Sequence, residues 1–127
     1  MTEQLVRNSV KERLARGEVA SSMTVRLTRG VEIASLAKAA GFDSLYIDLE
    51  HSALSLETTS QVCIAALEAG VASFARVPQV ELIQRVLDGG ALGIIAPDIR
   101  NADEARAVVQ AAKYLSLIHI SEPTRPY

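Results

Sequence analysis

The sequence predicts an α/β fold in which helices cover a parallel sheet. About four segments suited to short strands alternate with segments whose apolar residues recur at helical spacing. The run Leu-Tyr-Ile at residues 45–47 shows no alternation of polar and apolar side chains, which is typical of a strand buried on both faces. Strands joined by helices of this length become parallel neighbours, so the order of the segments indicates repeated strand–helix units.

The composition fits one globular domain and excludes several classes of partner. The chain has 127 residues, of which 49% are hydrophobic and 22% are charged. A net charge of -2 and an aromatic content of 4% argue against a nucleic-acid surface. No apolar run approaches the roughly 20 residues that span a bilayer, and the N-terminus has no signal-peptide pattern. We therefore expect a cytoplasmic protein without membrane or nucleic-acid partners.

A short leading helix, a strand and a second helix are predicted in the first forty or so residues. Ser9 and Glu12 have the spacing of a capping box, and Gly17 supplies a stop. Residues 19–27, rich in β-branched and small polar side chains, predict the first strand. The second helix ends at Gly41, and its expected inward face is made of Val31, Ile33, Leu36, Ala37 and Ala40.

Three further units follow the strand at residues 45–47. Ser55 is the expected N-cap of a helix that stops at Gly70, and Cys63 in that helix is predicted to be a small buried hydrophobe, not a nucleophile. Residues 72–78 and 92–97 predict strands on either side of a helix at 81–87. The last helix is capped by Asn101 and has the expected inward face Ala105, Val108, Val109 and Ala112.

Two sheet architectures compete, and the position of the glycines separates them. A doubly wound sheet that binds a dinucleotide has a glycine-rich turn after its first strand. Here Gly89, Gly90 and Gly93 follow a helix and precede a strand, which excludes the dinucleotide site. A closed barrel would instead bring the carboxyl ends of all the strands to one mouth.

Polar side chains stand at those strand ends. Asp48, Glu50 and His51 follow one strand, Arg76 ends the next, and Asp98 follows another. A histidine beside a carboxylate can act as a general base, and an arginine in a water-poor pocket can stabilise a developing oxyanion. The simpler alternatives are that Asp48 caps the next turn, that Arg76 is a solvated residue and that His51 satisfies a backbone carbonyl.

An ordered set of segments resembles one known family. The segments are GFDSLYIDLEH at 41–51, RVP at 76–78, LDGGA at 87–91, and Pro97 followed by NADEA at 101–105. Together, over residues 8–114, they resemble the HpcH/HpaI aldolase/citrate lyase family. The resemblance implies a truncated (β/α)8 barrel of about four units. It also implies a divalent-metal-dependent class II aldolase that joins or separates pyruvate and an aldehyde in 4-hydroxy-2-oxo acids.

The resemblance also implies roles for particular residues. His51 matches the catalytic base of the family, and Arg76 matches the arginine that steadies the pyruvate enolate. Asp88 matches an aspartate that raises the basicity of the histidine and acts across a subunit boundary, which implies a homo-oligomer. Asp48 and Glu50 belong to the same strand-end motif and are expected to support the other three.

The resemblance places the metal ligands outside this chain. A glutamate and an aspartate on later strands would hold Mg²⁺, Mn²⁺ or Co²⁺. Residues 115–127, including His119, look like a translated sequencing adapter, so we expect residues 1–114 to form the native domain. The chain by itself would then be a catalytically inactive half barrel that binds metal poorly. The remaining alternative is a citrate-lyase-like member that acts on a CoA thioester.

Overall fold

The computed structural model describes residues 6–113, and the predictions for residue 114 and for the tail at 115–127 lie outside that range. It contains one four-stranded sheet and five α-helices within the described part. The strands are β1 (Ser22–Val25), β2 (Ser44–Asp48), β3 (Ala72–Arg76) and β4 (Gly93–Ile95). The helices are α1 (Ser9–Ala15), α2 (Glu32–Ala39), α3 (Leu56–Ala69), α4 (Ile83–Asp88, after a 3₁₀ turn at Val80–Leu82) and α5 (Ala102–Ala112).

The strands lie side by side in the order in which they occur along the chain. All three pairings, β1 with β2, β2 with β3 and β3 with β4, are parallel. A doubly wound sheet reverses its strand order at a switch point, whereas a barrel wall does not. The described sheet therefore confirms the α/β prediction and has the strand order of a barrel. None of the described helices is both long and apolar enough to span a bilayer.

The hydrophobic core lies between the sheet and the helices. Leu45 and Ile47 of β2 are fully buried, and so are Val62 and Cys63 of α3. Because side chains alternate along a strand, the residues between and after them, Tyr46 and Asp48, belong to the other face of β2, the interior of the barrel. The prediction for Cys63 is confirmed by its burial, which also raises the pKa of its thiol.

Helix α2 buries a different stripe from the predicted one. Its buried residues are Ala34 and Ala37, whereas Leu36 and Val31 are exposed. Residues three apart lie on one side of a helix, so the Ala34–Ala37 stripe turns Leu36 outward. Small side chains on that stripe let α2 pack closely against α3. The prediction was right for Ala37 and for Ile33, which is partly buried against the core, and wrong for Val31, Leu36 and Ala40, which are exposed.

The N-terminal part of the described chain, from α1 to β1, also differs in detail from the prediction. The N-cap of α1 is Asn8, whose side chain accepts a hydrogen bond of 3.0 Å from the Lys11 N–H, so the predicted capping box is wrong. Glu12 does not reach back to the cap because it pairs with Arg7. The first strand, expected over residues 19–27, is confined to Ser22–Val25.

Helix α5 has the predicted cap, and two residues of its predicted inward face, Val108 and Ala112, are partly buried against the core. Asn101 accepts a hydrogen bond of 2.9 Å from the Glu104 N–H, as expected. No residue of α5 is fully buried, and Ala105 and Val109 are exposed. Within the described residues, few elements pack against this helix, so only part of its apolar face is covered.

Candidate active site

A buried ion pair joins the carboxyl ends of the two central strands. Asp48 is the last residue of β2 and lies opposite Arg76, the last residue of β3. The Arg76 guanidinium donates from Nε to Asp48 Oδ1 at 3.1 Å and from Nη2 to Oδ2 at 2.6 Å. This is a bidentate pair, which holds the Nε–Nη2 edge of the guanidinium in place as well as neutralising its charge.

Asp48 also organises the loop after β2. Its Oδ1 accepts hydrogen bonds from the main-chain N–H groups of Glu50 (2.9 Å) and His51 (3.0 Å), and its Oδ2 accepts one from Arg26 Nε (3.1 Å). The hydrogen bonds from Arg76 above all, and those from the loop and Arg26, hold the pKa of Asp48 well below its usual range, although burial opposes them. Asp48 is therefore ionised at neutral pH, and it both caps the turn and positions two arginines.

Glu50 connects the arginine to the histidine. Its Oε1 lies 3.4 Å from Arg76 Nε and 3.3 Å from His51 Nε2. Glu50 is largely buried, with a side-chain exposure of 19%, whereas the His51 side chain is 61% exposed. An imidazole that is open to solvent and has a carboxylate beside it can take up and release a proton.

Arg76 is held on several sides but keeps donors for a ligand. Asp48 engages Nε and Nη2, and no hydrogen bond to a described residue involves Nη1. The guanidinium carbon lies 5.7 Å from the centroid of the Tyr46 ring. The side chain is 21% exposed, and the hydrogen bond with Asp48 raises the pKa of the guanidinium. A fixed cation of this kind suits an oxyanion.

Asp88 does not join this cluster within one chain. It is the last residue of α4 and stands a few positions before β4 begins. It therefore lies towards the amino ends of the parallel strands, at the opposite end of the sheet from His51. The structure brings together Asp48, Glu50, His51 and Arg76, and a part for Asp88 in the same site requires a second subunit.

The described residues do not form a metal site by themselves. Among residues 6–113, no group of three or more histidine, cysteine, aspartate or glutamate side chains could hold a metal ion. Both carboxylates of the cluster already have cationic neighbours, since Asp48 is bound by two arginines and Glu50 lies 3.4 Å from Arg76 Nε. Guanidinium groups in these positions compete with a cation for the same oxygens.

Sequence reasoning missed two members of the cluster, Arg26 and Tyr46. Arg26 comes directly after β1, so the strand-end rule that identified Arg76 would also have found it. Tyr46 precedes Asp48 by two residues in β2 and therefore shares its face of the sheet. Both signals were present in the sequence once the strand boundaries were known.

A cavity of about 310 Å³ opens beside the cluster, between the ends of β3 and β4 and helix α5. Glu50 lines it, and most of its other walls are apolar, with Val77 and Val108 among them. Asp98, which has a positive φ of 56°, also lines the cavity. The volume is near the lower end of the range for small-molecule pockets.

Comparison with known proteins identifies relatives over most of this chain. The profile of the HpcH/HpaI aldolase/citrate lyase family matches residues 23–118. A 4-hydroxy-4-methyl-2-oxoglutarate aldolase from Hapsidospora irregularis is 42% identical over 110 residues, which cover 84% of this chain and 41% of that protein. A 2-keto-3-deoxy-L-rhamnonate aldolase from Escherichia coli O157:H7 is 37% identical over 117 residues, which cover 87% of this chain and 42% of that protein.

A solved structure shows the same arrangement of elements. The crystal structure of an HpcH/HpaI aldolase from Desulfitobacterium hafniense DCB-2 matches with a TM-score of 0.78 and 31% identity, covering 83% of this chain and 41% of that one. The chain thus spans less than half the length of the proteins it matches. The prediction of a truncated (β/α)8 barrel is confirmed.

Proposed function

Because this chain belongs to the HpcH/HpaI aldolase/citrate lyase family, we propose that the whole protein is a class II aldolase. It would cleave or form the carbon–carbon bond between pyruvate and an aldehyde in 4-hydroxy-2-oxo acids. The main support is the cluster at the β2 and β3 ends, in which Asp48 fixes Arg76 beside the His51–Glu50 pair. The two curated relatives described above are aldolases, which favours this reaction over a citrate-lyase-like reaction on a CoA thioester.

The first half of the chemistry is removal of a proton from the substrate hydroxyl. In the cleavage direction the hydroxyl loses its proton, the adjacent carbon–carbon bond breaks, and the electron pair passes to the departing pyruvate enolate. His51 is assigned as the base, acting through a water molecule, because its imidazole is open to solvent. Glu50, with Oε1 3.3 Å from His51 Nε2, would orient the ring.

The second half is stabilisation of the enolate oxyanion. Arg76 is assigned this role because Asp48 holds its Nε–Nη2 edge and leaves Nη1 for a ligand oxygen. A cation positioned before the reaction needs no reorganisation when the charge develops, so it lowers the energy of the transition state more than that of the ground state. Asp48 and Glu50 support the two reacting residues, as the resemblance implied.

Two parts of the site are placed outside one copy of this chain. Class II members of the family generally depend on a divalent metal, which polarises the oxygen of the enolate. The described residues do not hold one, so we place its ligands, a glutamate and an aspartate, beyond residue 113 and expect Mg²⁺, Mn²⁺ or Co²⁺. Asp88 would reach His51 from a neighbouring subunit of a homo-oligomer.

The test is release of pyruvate from 4-hydroxy-2-oxo acids by a protein that continues this chain to the length of its relatives. In the presence of divalent metal, His51→Ala should lower kcat by about 10² to 10⁴. Arg76→Lys should lower it by about 10² to 10³, because a lysine cannot keep the bidentate pair with Asp48. Arg106→Lys, a matched change at an exposed position of α5, should have no effect.

Two results would remove the proposal. Absence of metal-dependent cleavage for every 4-hydroxy-2-oxo acid would reject the reaction class. Unchanged turnover in His51→Ala would remove His51 from the mechanism. As a second proposal, the 127-residue chain alone is a catalytically inactive half barrel, and measurable aldol cleavage by the purified chain would contradict it.

A further inference from the structure

We propose that Tyr46 helps to position Arg76 for its substrate, by a cation–π contact with the guanidinium while Asp48 holds its edge. This inference rests on the proposed function, because it concerns the arginine assigned to the enolate. Tyr46 is a positioning residue in this proposal, since it acts through Arg76 and not on the substrate.

The register of the sheet brings the two side chains together. Tyr46 pairs with Phe74, and Asp48 pairs with Arg76 two residues further along the same two strands. Arg76 is therefore the diagonal neighbour of Tyr46 on the interior face, within reach of an aromatic side chain. The Arg76 Cζ lies 5.7 Å from the ring centroid, inside the distance of about 6 Å over which a cation and a ring attract each other.

Asp48 and Tyr46 restrain different movements of the guanidinium. The two hydrogen bonds to Asp48 fix the Nε–Nη2 edge of the group. They do not stop the guanidinium from tilting about that edge, because the long arginine side chain has considerable rotamer freedom. The attraction between the guanidinium and the Tyr46 ring, 5.7 Å apart, opposes that tilt, so Nη1 remains in one place. Position matters here because small displacements of a charge-stabilising group have large effects on rate.

The simpler explanation is that Tyr46 only fills the interior of the barrel, and the neighbouring Phe74 provides the control. Phe74 is an aromatic residue in the same row of the sheet, one strand away. Its ring packs against Gly93, where an added Cβ would come within 2.5 Å of Phe74 Cδ1. Loss of the Phe74 ring therefore disturbs the filling of the interior without removing the ring over which Arg76 lies.

The first measurement is the NMR signal of the Arg76 Nε–Hε group in the purified protein. The signal is identified by its absence in Arg76→Lys. Tyr46→Phe should keep its chemical shift because the ring remains, whereas Tyr46→Leu should lose the ring-current contribution. Phe74→Leu should leave the signal close to its original position. If Tyr46→Leu does not fold, Tyr46→Met replaces it, since a flexible thioether fills space well.

The second measurement is kcat/KM for cleavage of the 4-hydroxy-2-oxo acid by the protein that continues this chain to the length of its relatives. Tyr46→Leu should lower it by about 2- to 30-fold, the range expected for loss of one cation–π contact. Tyr46→Phe and Phe74→Leu should each remain within about 2-fold of the original value.

The outcomes separate this inference from the proposed function. If the longer protein without substitutions cleaves no such acid, the proposed function fails. The NMR comparison still decides whether Tyr46 holds Arg76. An unchanged Arg76 signal in the leucine or methionine variant would overturn the inference. Equal losses of kcat/KM in Tyr46→Leu and Phe74→Leu would also overturn it, because the ring would then only fill space.

Discussion

The carboxyl ends of the two central strands and the region of β4 and α5 are built differently. At the ends of β2 and β3, Asp48 is 1% exposed and receives hydrogen bonds from two arginines and two main-chain N–H groups. In β4 no residue is fully buried, and in α5 the apolar residue Val109 is 51% exposed. The first region is a closed network of hydrogen bonds, whereas the apolar side chains of the second region are only partly covered by other residues.

The difference follows from the position of each strand in the sheet. Strands β2 and β3 have a strand on each side, whereas β4 has only β3 beside it among the described residues. A central strand can satisfy its polar groups and cover its side chains with local partners, but an edge strand cannot. The Asp48–Arg76 network is therefore closed within the described residues, although the packing around β4 and α5 is not. The chain's coverage of about 41% of its relatives' length agrees with this.

The largest effect is expected in the closed network. Asp48→Asn should lower the free energy of unfolding by about 3 kcal/mol, because it leaves Arg76 without its buried anionic partner. The pKa of Asp48 is lowered in the folded protein, so the stability it contributes is present above its unfolded pKa of about 4 and is lost as the pH falls below that value. Urea unfolding at neutral pH and near pH 3 measures both effects.

Asp103→Asn is the control for that experiment, because Asp103 is 93% exposed and pairs with Arg106 on the surface of α5. It should leave the stability unchanged at both pH values. Equal effects of the two substitutions would show that the Asp48 network is no stronger than a surface ion pair. The difference in the free energy of unfolding between the original protein and Asp48→Asn should shrink on acidification. A constant difference would mean that it does not come from the charge of Asp48.

A second, smaller effect tests the packing of β4 against Phe74. Gly93→Ala should destabilise the protein by about 2 kcal/mol, because the new methyl group would lie 2.5 Å from Phe74 Cδ1 and 2.7 Å from Cε1. Thermal or urea unfolding gives the value. Combining Gly93→Ala with Phe74→Leu should recover part of the loss. A neutral Gly93→Ala would mean that the Phe74 ring can move aside and that β4 is loosely packed throughout.

The last comparison is between two valines, and it includes the smallest expected effect, that of Val109→Ala. Val62 in α3 is 1% exposed, whereas Val109 in α5 is 51% exposed. Val62→Ala should cost about 2 kcal/mol through lost burial and a residual cavity, and Val109→Ala should cost less than about 0.5 kcal/mol. Both are measured by urea unfolding of the 127-residue chain. Similar costs would show that α5 is covered as well as α3, which would remove the contrast between the two regions.

Local signals made much of the fold predictable. The Ser55 and Asn101 caps and the left-handed Gly70 are where the sequence predicts them, because a cap acts on backbone groups within three or four residues. The order of strands and helices could be predicted for the same reason. Competition between adjacent N-cap candidates is harder to predict. Asn8 and Ser9 are both good N-cap residues, and Asn8 takes the position in α1.

The residues of the candidate site also fall into two groups, those that local sequence signals predict and those that distant contacts place. The sequence by itself determined that Asp48, Glu50 and His51 follow one strand and that Arg76 ends the next, and parallel pairing then places them at one edge. Only the tertiary structure decided that Arg26 would join Asp48 and that Asp88 would lie at the other end of the sheet. Those outcomes depend on partners far away in sequence, since Asp48 is 22 residues from Arg26 and 28 from Arg76. Contacts over such separations depend on strand register and helix direction, which are set by the packing of the whole sheet.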